Sequence, residues 1–231
     1  MPQQGDADFL GCTELFGGLD PKVLEGIAAR GTSRLVRAGQ AVFRQGSEPT
    51  HLHLVMKGWV KIGHVTGSGA PLTIGIMEPG DVPGCVAVFR HTPYPATATA
   101  IVDSWLLTWP AAVVSELMER HPRISANALG LVGGRTEEML HRSREFATEP
   151  VECRIARVLL RLAAKAGQPV GGGTEIIFPL SRQDIAEMAG TTLHTVSRTL
   201  RMWQRSGLVA GGRRRVVIQD EKALRAVTLD H

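Results

Sequence analysis

The chain has 231 residues, 43% of them hydrophobic and 21% charged, and a formal net charge of +4 at pH 7. This length allows one or two domains with a hydrophobic core, and the composition excludes an intrinsically disordered or collagen-like chain. No apolar stretch approaches a membrane span, and residues 1–6 lack the basic and apolar parts of a secretory signal. Cys12, Cys85 and Cys153 are odd in number and far apart, which argues against a disulfide framework. We therefore expect a cytoplasmic protein.

The first 110 residues are dominated by short β-type runs, which follow two short helical patterns at about 13–18 and 20–30. The runs are Ser33–Arg37, Ala41–Arg44, His51–Lys57, Trp59–Thr66, Leu72–Met77, Ala96–Val102 and Trp105–Trp109. Glycines separate them, as turns with positive φ require. Many short strands at regular spacing predict an all-β roll or sandwich. A purely structural domain would show the same pattern.

Helical periodicity returns from about residue 111 to residue 145, with a break at His121-Pro122. The second segment carries a stripe that we predict to face a second copy of the chain. The predicted dimer residues are Ile124, Ala128, Leu131, Arg135 and Met139. Small residues on this segment would let another helix approach closely, while Gly133-Gly134 costs helix stability, on the order of 1 kcal/mol per glycine. The alternative is a core helix within one subunit.

Residues 181–207 predict two short helices around a tight turn. Ser181 and Asp184 have the spacing of a capping box, Gly190 allows a sharp exit, and Thr192 can cap the second helix. The second helix should point three apolar residues inward, namely Val196, Leu200 and Trp203. This arrangement is typical of a helix-turn-helix.

The outward face of the second helix predicts contact with a polyanion. His194, Ser197 and Arg198 are expected to reach DNA base edges, with Arg198 bidentate to guanine. The following residues, 208–218, read as strand, Gly-Gly turn and strand, which indicates a basic wing. The predicted phosphate contacts are Ser181, Thr192, Arg201, Arg213, Arg214 and Arg215. Residues 181–220 hold seven arginines against three acidic residues, so their excess of +4 equals that of the whole chain.

Catalytic motifs give no competing prediction. The sequence has no glycine-rich phosphate loop, no HExxH and no convincing nucleophile elbow. The run Gly171-Gly172-Gly173 follows a helical pattern rather than a strand, so it reads as a surface loop. We therefore predict that the protein is not an enzyme.

Several motifs, taken together, resemble the CRP/FNR family of bacterial transcription regulators over nearly the full chain. They are Gly39–Gly46, Leu54–Lys61, Glu78–Asp81, Leu180–Gly190 and Thr195–Leu200. The resemblance implies an α+β chain with an N-terminal cyclic-nucleotide-binding-like β-roll as sensor (residues 1–120), a long dimerisation helix (121–146) and a C-terminal winged helix-turn-helix (147–231). It also implies RNA polymerase as a partner.

Departures from the family pattern bear on the effector. Members that bind cyclic nucleotides have a glutamate after the glycine corresponding to Gly84 and an Arg-Ser pair further on, whereas this chain has Cys85 and Tyr94-Pro95. Without that arginine a buried phosphate lacks its bidentate partner, which argues against cyclic AMP. By resemblance, the effector pocket comprises Gly84, Cys85, Val86, Tyr94 and Ala96. An iron–sulfur cluster is not expected, because the N-terminal region has only Cys12 where Cys₄ ligation needs four.

The segments Pro83–Phe89, Tyr94–Ala98 and Gly190–Arg198 look most like regulators of nitrite and nitric oxide reductase genes. This implies a nitrogen-oxide or redox signal, with haem as a candidate cofactor; the cofactor and any metal otherwise stay open. The candidate haem ligands are His51, His53, His64, His91, Cys85 and Pro2. For each one a surface histidine, or a buried inert thiol, is the simpler explanation.

The helix-turn-helix residues and the resemblance together predict a dimeric, effector-gated regulator of double-stranded DNA, and the resemblance implies a TTG…CAA-like palindrome as its site. The alternative is an effector-binding or scaffold protein of the same fold without regulated DNA binding.

Overall fold

The computed structural model describes residues 4–67, 69 and 71–229. Within that part of the chain, no helix is both long and apolar enough to cross a membrane. The chain divides into two compact units, residues up to 65 together with 75–138, and residues 66–74 together with 139 onwards. The predicted α+β architecture, with an N-terminal roll, a long helix and a C-terminal winged helix-turn-helix, is confirmed.

The first unit is built from two antiparallel sheets and flanking helices. Its strands are β1 (Thr32–Val36), β2 (Ala41–Phe43), β3 (His51–Lys57), β4 (Val60–Val65), β5 (Pro71–Met77, which it shares with the second unit), β6 (Thr97–Ala100) and β7 (Ser104–Pro110). They pair in the orders β1-β7-β3 and β2-β6-β4-β5. A cluster rich in valine and alanine draws side chains from both sheets, including Val36, Val55 and Ala98, and so fills the roll.

Helices cover the other face of the three-stranded sheet. They are α1 (Gln4–Gly11), α2 (Pro21–Ala29), α3 (Cys85–Arg90), α4 (Ala111–Arg120) and the first part of α5 (Pro122–Thr148). Leu52, Leu54 and Leu107, which alternate with the roll-filling positions, pack with these helices in a second core cluster. The helix predicted at residues 13–18 is wrong, because the chain turns there and the first helix lies earlier, at α1.

The long helix α5 corrects part of the predicted dimer face. Ile124, Ala128 and Leu131 are only 1%, 4% and 8% exposed and belong to the second core cluster of their own subunit. A side chain covered within one chain offers no surface to another copy. The assignment of these three residues to a dimer interface is therefore wrong, and the neighbouring face carries the exposed Leu129 and the half-buried Val132 instead.

The second unit contains the predicted helix-turn-helix. Its remaining elements are α6 (Val151–Ala166), β8 (Gly167–Val170), β9 (Gly173–Ile176), α7 (Arg182–Ala189), α8 (Leu193–Arg205), β10 (Val209–Gly212), β11 (Arg215–Ile218) and α9 (Glu221–Ala226). The strands form one antiparallel sheet in the order β10-β11-β9-β8. Residues 66–74 belong here too, and Thr73 Oγ1 donates to Glu187 Oε2 at 2.5 Å.

The wing turns two residues later than the sequence predicts. Gly212 pairs with Arg215, so the hairpin turn consists of Arg213 and Arg214 rather than of the two glycines. Gly211 is needed for another reason: its φ is +132°, and a Cβ there would lie 2.1 Å from the Arg215 carbonyl oxygen. Gly211 therefore allows close strand pairing, and the two arginines form the tip.

Candidate functional site

The entry to the helix-turn-helix is fixed by a complete capping box. Ser181 Oγ accepts from the Asp184 amide at 3.1 Å, and Asp184 Oδ2 accepts from the Ser181 amide at 3.1 Å. The Ser181 hydroxyl itself donates to the same carboxylate at 2.5 Å. Ser181 therefore caps α7, and its predicted phosphate contact stays a prediction.

The second helix, α8, begins where the sequence places it. Gly190 has φ +59°, and Thr192 Oγ1 accepts from the Thr195 amide at 3.2 Å as the N-cap. The inward residues are Val196, Thr199, Leu200 and Trp203, all buried. This side of the helix matches the prediction and adds Thr199. The opposite side is consequently held out of the core.

The outward side of α8 presents the predicted base-reading residues. His194 and Arg198 are exposed and Ser197 is half-buried. Among the described residues neither His194 nor Arg198 has a side-chain hydrogen bond or ion pair. Arg201 differs, because its Nε donates to the Ser197 carbonyl at 3.0 Å, although other guanidinium donors remain for a phosphate.

The sequence interpretation placed one further residue on the outward face of α8 but assigned it no DNA contact. Leu193, the first residue of the helix, is 48% exposed next to His194. An apolar side chain at the start of a recognition helix is suited to the C5-methyl group of thymine. The signal was present in the sequence as a leucine off the inward stripe, but without a polar group it was not assigned.

The three wing arginines separate into two kinds. Arg213 and Arg214 form the exposed tip, and no side-chain partner exists for either within the described ranges. Arg215 lies at the base, where its Nε and Nη2 donate to the two Glu175 carboxylate oxygens at 2.7 and 2.6 Å. These hydrogen bonds hold the pKa of Glu175 below its usual range. Arg215 therefore ties β11 to β9, and its predicted phosphate contact stays a prediction.

Two of the predicted effector residues, Gly84 and Tyr94, lie at a stack of aromatic rings in the first unit. Phe43 and Tyr94 stack with centroids 3.8 Å apart and planes at 10°, and the Tyr94 hydroxyl donates to the His51 carbonyl at 3.0 Å. Gly84 has φ +71°, and a Cβ there would lie 2.6 Å from the Tyr94 ring and 2.7 Å from Phe43. Only glycine fits beneath this stack. Phe43 was not predicted, because nothing in its strand pattern marks it.

The other predicted pocket residues divide between the two clusters. Cys85 and Tyr94 belong to the cluster beneath the helices and Val86 packs against it, whereas Ala96 lies in the cluster that fills the roll. The structure thus brings Gly84, Cys85 and Tyr94 together but not Ala96. Burial raises the pKa of Tyr94 to about 12, so this phenol stays neutral at physiological pH.

Arg135 belongs to this pocket rather than to the predicted dimer face. Its Nη1 donates to Cys85 Sγ at 3.2 Å and its Nη2 donates to the Val82 carbonyl at 3.0 Å. The guanidinium is therefore turned into its own subunit, and its assignment to the dimer interface is wrong. Burial raises the pKa of the Cys85 thiol, an effect that the Arg135 charge opposes.

The candidate haem ligands do not converge. His64 Nδ1 is 2.9 Å from the Pro95 carbonyl, Cys85 is engaged by Arg135, and His91 follows α3 with φ +51°. His53 is the buried histidine, 5% exposed, and its Nδ1 has no hydrogen-bond partner in the described structure. Pro2 lies outside the described residues. Burial, with smaller contributions from Arg34 and His51, lowers the pKa of His53 to about 4.

The space around His53 does not suit a haem. The Phe43 ring lies 5.8 Å from it and is itself stacked on Tyr94, while aliphatic side chains fill the rest of the roll. No group of three or more potential metal-ligating side chains occurs among the described residues. The orphan nitrogen alone would suit an axial ligand, but the packing leaves no place for a porphyrin.

Two family models match this chain. The model of the Crp-like helix-turn-helix domain matches residues 153–227, and that of the cyclic nucleotide-binding domain matches residues 33–121. The chain belongs to the CRP/FNR family of transcription regulators. It is a DNA-binding regulator of the CRP/FNR type with a cyclic-nucleotide-binding-like domain.

Relatives of this CRP/FNR regulator respond to different signals. The chain is 24% identical over 210 residues to the "CRP-like cAMP-activated global transcriptional regulator" of Mycobacterium tuberculosis, covering 91% of this chain and 94% of the relative. It is also 24% identical to the "Fumarate and nitrate reduction regulatory protein" of Salmonella typhimurium, covering 83% and 76%. The solved structure of the c-di-GMP-responsive regulator CLP from Xanthomonas campestris has the same fold, with a TM-score of 0.76 at 22% identity over 87% of this chain and 100% of that one. Family membership therefore leaves the effector open.

Proposed function

We propose that this CRP/FNR regulator is a homodimer that binds a TTG…CAA-like palindrome and is gated by a small effector in the roll. The effector would be a nitrogen oxide or another redox signal rather than cyclic AMP, as in the nitrite and nitric oxide reductase regulator branch. RNA polymerase is its further partner, and no catalysed reaction is part of the proposal. A protein with these partners works in the cytoplasm.

One observation carries the DNA-binding part: four polar side chains on α8 and the wing tip are exposed and unpaired within the described chain. Arg198 and His194 have no partner within the described chain, and neither do Arg213 and Arg214. An arginine that must form bidentate bonds with guanine O6 and N7 should have no competing partner. Thr192 and Arg201 flank the base-reading residues and would contact phosphates.

The filled roll supports a small effector. Phe43 and Tyr94 occupy the space above Gly84, and Cys85 and Tyr94 stand where nucleotide-binding relatives have glutamate and arginine. A cyclic nucleotide would have to displace both rings and leave its phosphate without that arginine. A diatomic or similarly small effector needs much less space. Because the packing does not suit a haem, the proposal assigns no step to one.

An exposed apolar stripe supports the dimer. Leu129 and Met139 are 75% and 67% exposed, and they share one face of α5 with Val132 and Thr136 at spacings of three and four residues. A continuous exposed face of this kind marks an interaction site, and a heptad-like repeat fits an identical helix. Of the predicted dimer residues only Met139 remains in this proposal. Two recognition helices in such a dimer would read half-sites about one helical turn, ~34 Å, apart.

The DNA-binding part is tested by selecting duplexes from a random pool with the full-length protein. We expect a TTG…CAA-like palindrome to be enriched, and Arg198→Ala to weaken its binding by about 1–3 kcal/mol per contacted base pair. Arg225→Ala is the matched control, since the Arg225 side chain bonds to Glu221 on α9 and to no other described residue. Equal affinity and selectivity of Arg198→Ala and wild type would refute the proposed register of α8. Failure to enrich any sequence would favour the effector-binding or scaffold alternative.

The dimer is tested by placing a charge on the stripe. We expect Leu129→Glu to be monomeric by sedimentation at micromolar concentration, because a carboxylate would be buried in the apolar interface. His141→Glu is the control, since His141 is exposed on another side of α5. A wild-type protein that is monomeric under the same conditions would exclude the proposed dimer.

A further inference from the structure

A single arginine on α6 joins three backbone carbonyls from two parts of the second unit. Arg154 Nε donates to the Ala189 carbonyl at 2.9 Å, and its Nη2 reaches the Gly190 carbonyl at 3.4 Å. Its Nη1 donates to the Glu149 carbonyl at 3.0 Å. Ala189 and Gly190 form the end of α7 and the turn of the helix-turn-helix, whereas Glu149 directly follows α5. One guanidinium therefore fastens this turn to the end of the long helix.

An aromatic ring from the last turns of α5 completes the contact. The Arg154 guanidinium carbon lies 5.6 Å from the centroid of the Phe146 ring. Phe146 also packs beneath the turn, because a Cβ added to Gly190 would lie 2.8 Å from its ring. Gly190 adopts φ +59°, so its conformation and its close approach to the ring both require glycine.

Arginine is specifically suited to this position. The last carbonyls of a helix have no intrahelical partner and carry partial negative charge, so a cation stabilises them. The planar guanidinium offers donors in several fixed directions and can stack on a ring at the same time. Lysine would keep the charge but not this simultaneous set of contacts.

We propose that Arg154, together with Phe146, is a positioning residue for DNA recognition, which fixes the helix-turn-helix turn on the last turns of α5. The proposal rests on the proposed DNA-binding function. Helix α8 begins at Leu193, three residues after Gly190, so the direction of His194 and Arg198 depends on how this turn is held. The wing-tip arginines do not touch the contact, so non-specific phosphate binding should depend on it less than recognition of the palindrome does.

The test compares full-length wild type with Arg154→Lys on two duplexes at one salt concentration, a TTG…CAA palindrome and a scrambled sequence. If the turn adopts its competent position only a tenth of the time, affinity for the palindrome falls about tenfold. Affinity for the scrambled duplex should fall much less, so the ratio of the two affinities should decrease. Arg225→Lys is the matched control, because Arg225 is bonded to Glu221 on α9 and should change neither value.

A second measurement uses the free protein and needs no DNA. The Thr191 amide, which donates to the Ala186 carbonyl at 2.9 Å, lies in the turn. We expect its hydrogen exchange to accelerate in Arg154→Lys, while amides inside α8 keep their wild-type rates. Unchanged exchange together with an unchanged ratio of the two DNA affinities would overturn the proposal. So would a uniform acceleration across the unit, because that would mean general destabilisation. If wild type itself does not prefer the palindrome, the proposed function fails, and local exchange still decides the role of Arg154.

Discussion

The predicted DNA-binding surface and the roll differ in whether their polar side chains are exposed and free or buried and bonded. On α8 and the wing tip, His194, Arg198 and Arg213 are exposed and lack partners in the described chain. In the roll, the Tyr94 hydroxyl and the Cys85 thiol are engaged, and aromatic rings fill the space between them. Water solvates the polar groups of a surface that binds a polyanion, whereas an empty apolar pocket would cost free energy of folding. The predicted DNA-binding groups are therefore exposed in the free protein, whereas the interior of the roll is filled by its own side chains.

His53 is buried in the roll, and its Nδ1 has no hydrogen-bond partner among the described residues. Its pKa is about 4 in the folded protein and about 6.5 when unfolded, so the folded state binds fewer protons between these values. The free energy of unfolding should therefore fall as pH drops through this window, by about 3 kcal/mol in total, and level off below pH 4. Urea unfolding of wild type and His53→Leu at pH 7, 5.5 and 4 measures this.

The difference between the two proteins isolates His53 from the carboxylates that titrate in the same range. We expect the free energy of unfolding of His53→Leu to fall by about 3 kcal/mol less than that of wild type over this pH range. His141→Leu, which removes an exposed histidine of α5, should follow the wild-type curve. Parallel curves for wild type and His53→Leu would mean that His53 is not held neutral by burial.

The close packing of aromatic rings around Gly84 is tested by adding one methyl group at this position. Gly84→Ala should destabilise the fold through its positive φ and through collision with Tyr94 and Phe43. Gly46→Ala has φ +79° but open space around the new Cβ, so it carries only the backbone cost. We expect Gly84→Ala to be about 2 kcal/mol less stable than Gly46→Ala, which is the overpacking cost. Equal stabilities in thermal unfolding would show that the rings move aside freely.

The contact of Leu193 with a thymine methyl is tested on the DNA as well as on the protein. Wild type should bind a palindrome with uracil in place of the contacted thymine about 1 kcal/mol more weakly, roughly the value of one buried methyl group. Leu193→Ala should bind both duplexes equally. Met202→Ala, which removes another exposed apolar residue of α8, should keep the wild-type preference. A preference that survives in Leu193→Ala would assign the methyl contact to a different residue.

The smallest expected effect separates the wing arginines. Arg214→Ala should reduce the slope of log affinity against log salt concentration by about one, because one phosphate contact is lost. Arg215→Ala should change that slope less, since its charge is already paired with Glu175. Fluorescence anisotropy titrations between low and moderate salt measure both. A larger slope change for Arg215→Ala than for Arg214→Ala would mean that Arg215, and not Arg214, makes the phosphate contact.

The sequence predicted the helix-turn-helix well because the signals for it are local. The inward positions Val196, Leu200 and Trp203 follow helical periodicity, and the capping box of Ser181 is readable from a spacing of three. The wing turn was misplaced because Gly211 signals close strand approach as well as a turn. Periodicity fixes which residues share a face, but a glycine does not show by itself which of its uses applies.

The long helix shows the limit of the same method. Ile124, Ala128 and Leu131 do share a face, yet that face covers the subunit's own core. A partner helix and a sheet of the same chain require the same apolar spacing, so the pattern cannot distinguish them. The contact between Arg135 and Cys85 joins residues 50 positions apart and leaves no local pattern at all. Such long-range pairs define the interior of the first unit, which is why the sequence did not predict the surroundings of Cys85.

The chain contains one tyrosine, and that residue is Tyr94. Its ring lies face to face with Phe43 and above Gly84, so its proton resonances should be displaced by ring currents and assignable without ambiguity. Any molecule that enters the roll by this route must move that ring. One-dimensional spectra of a protein labelled only at tyrosine would therefore report effector entry directly, compound by compound, before any DNA is added.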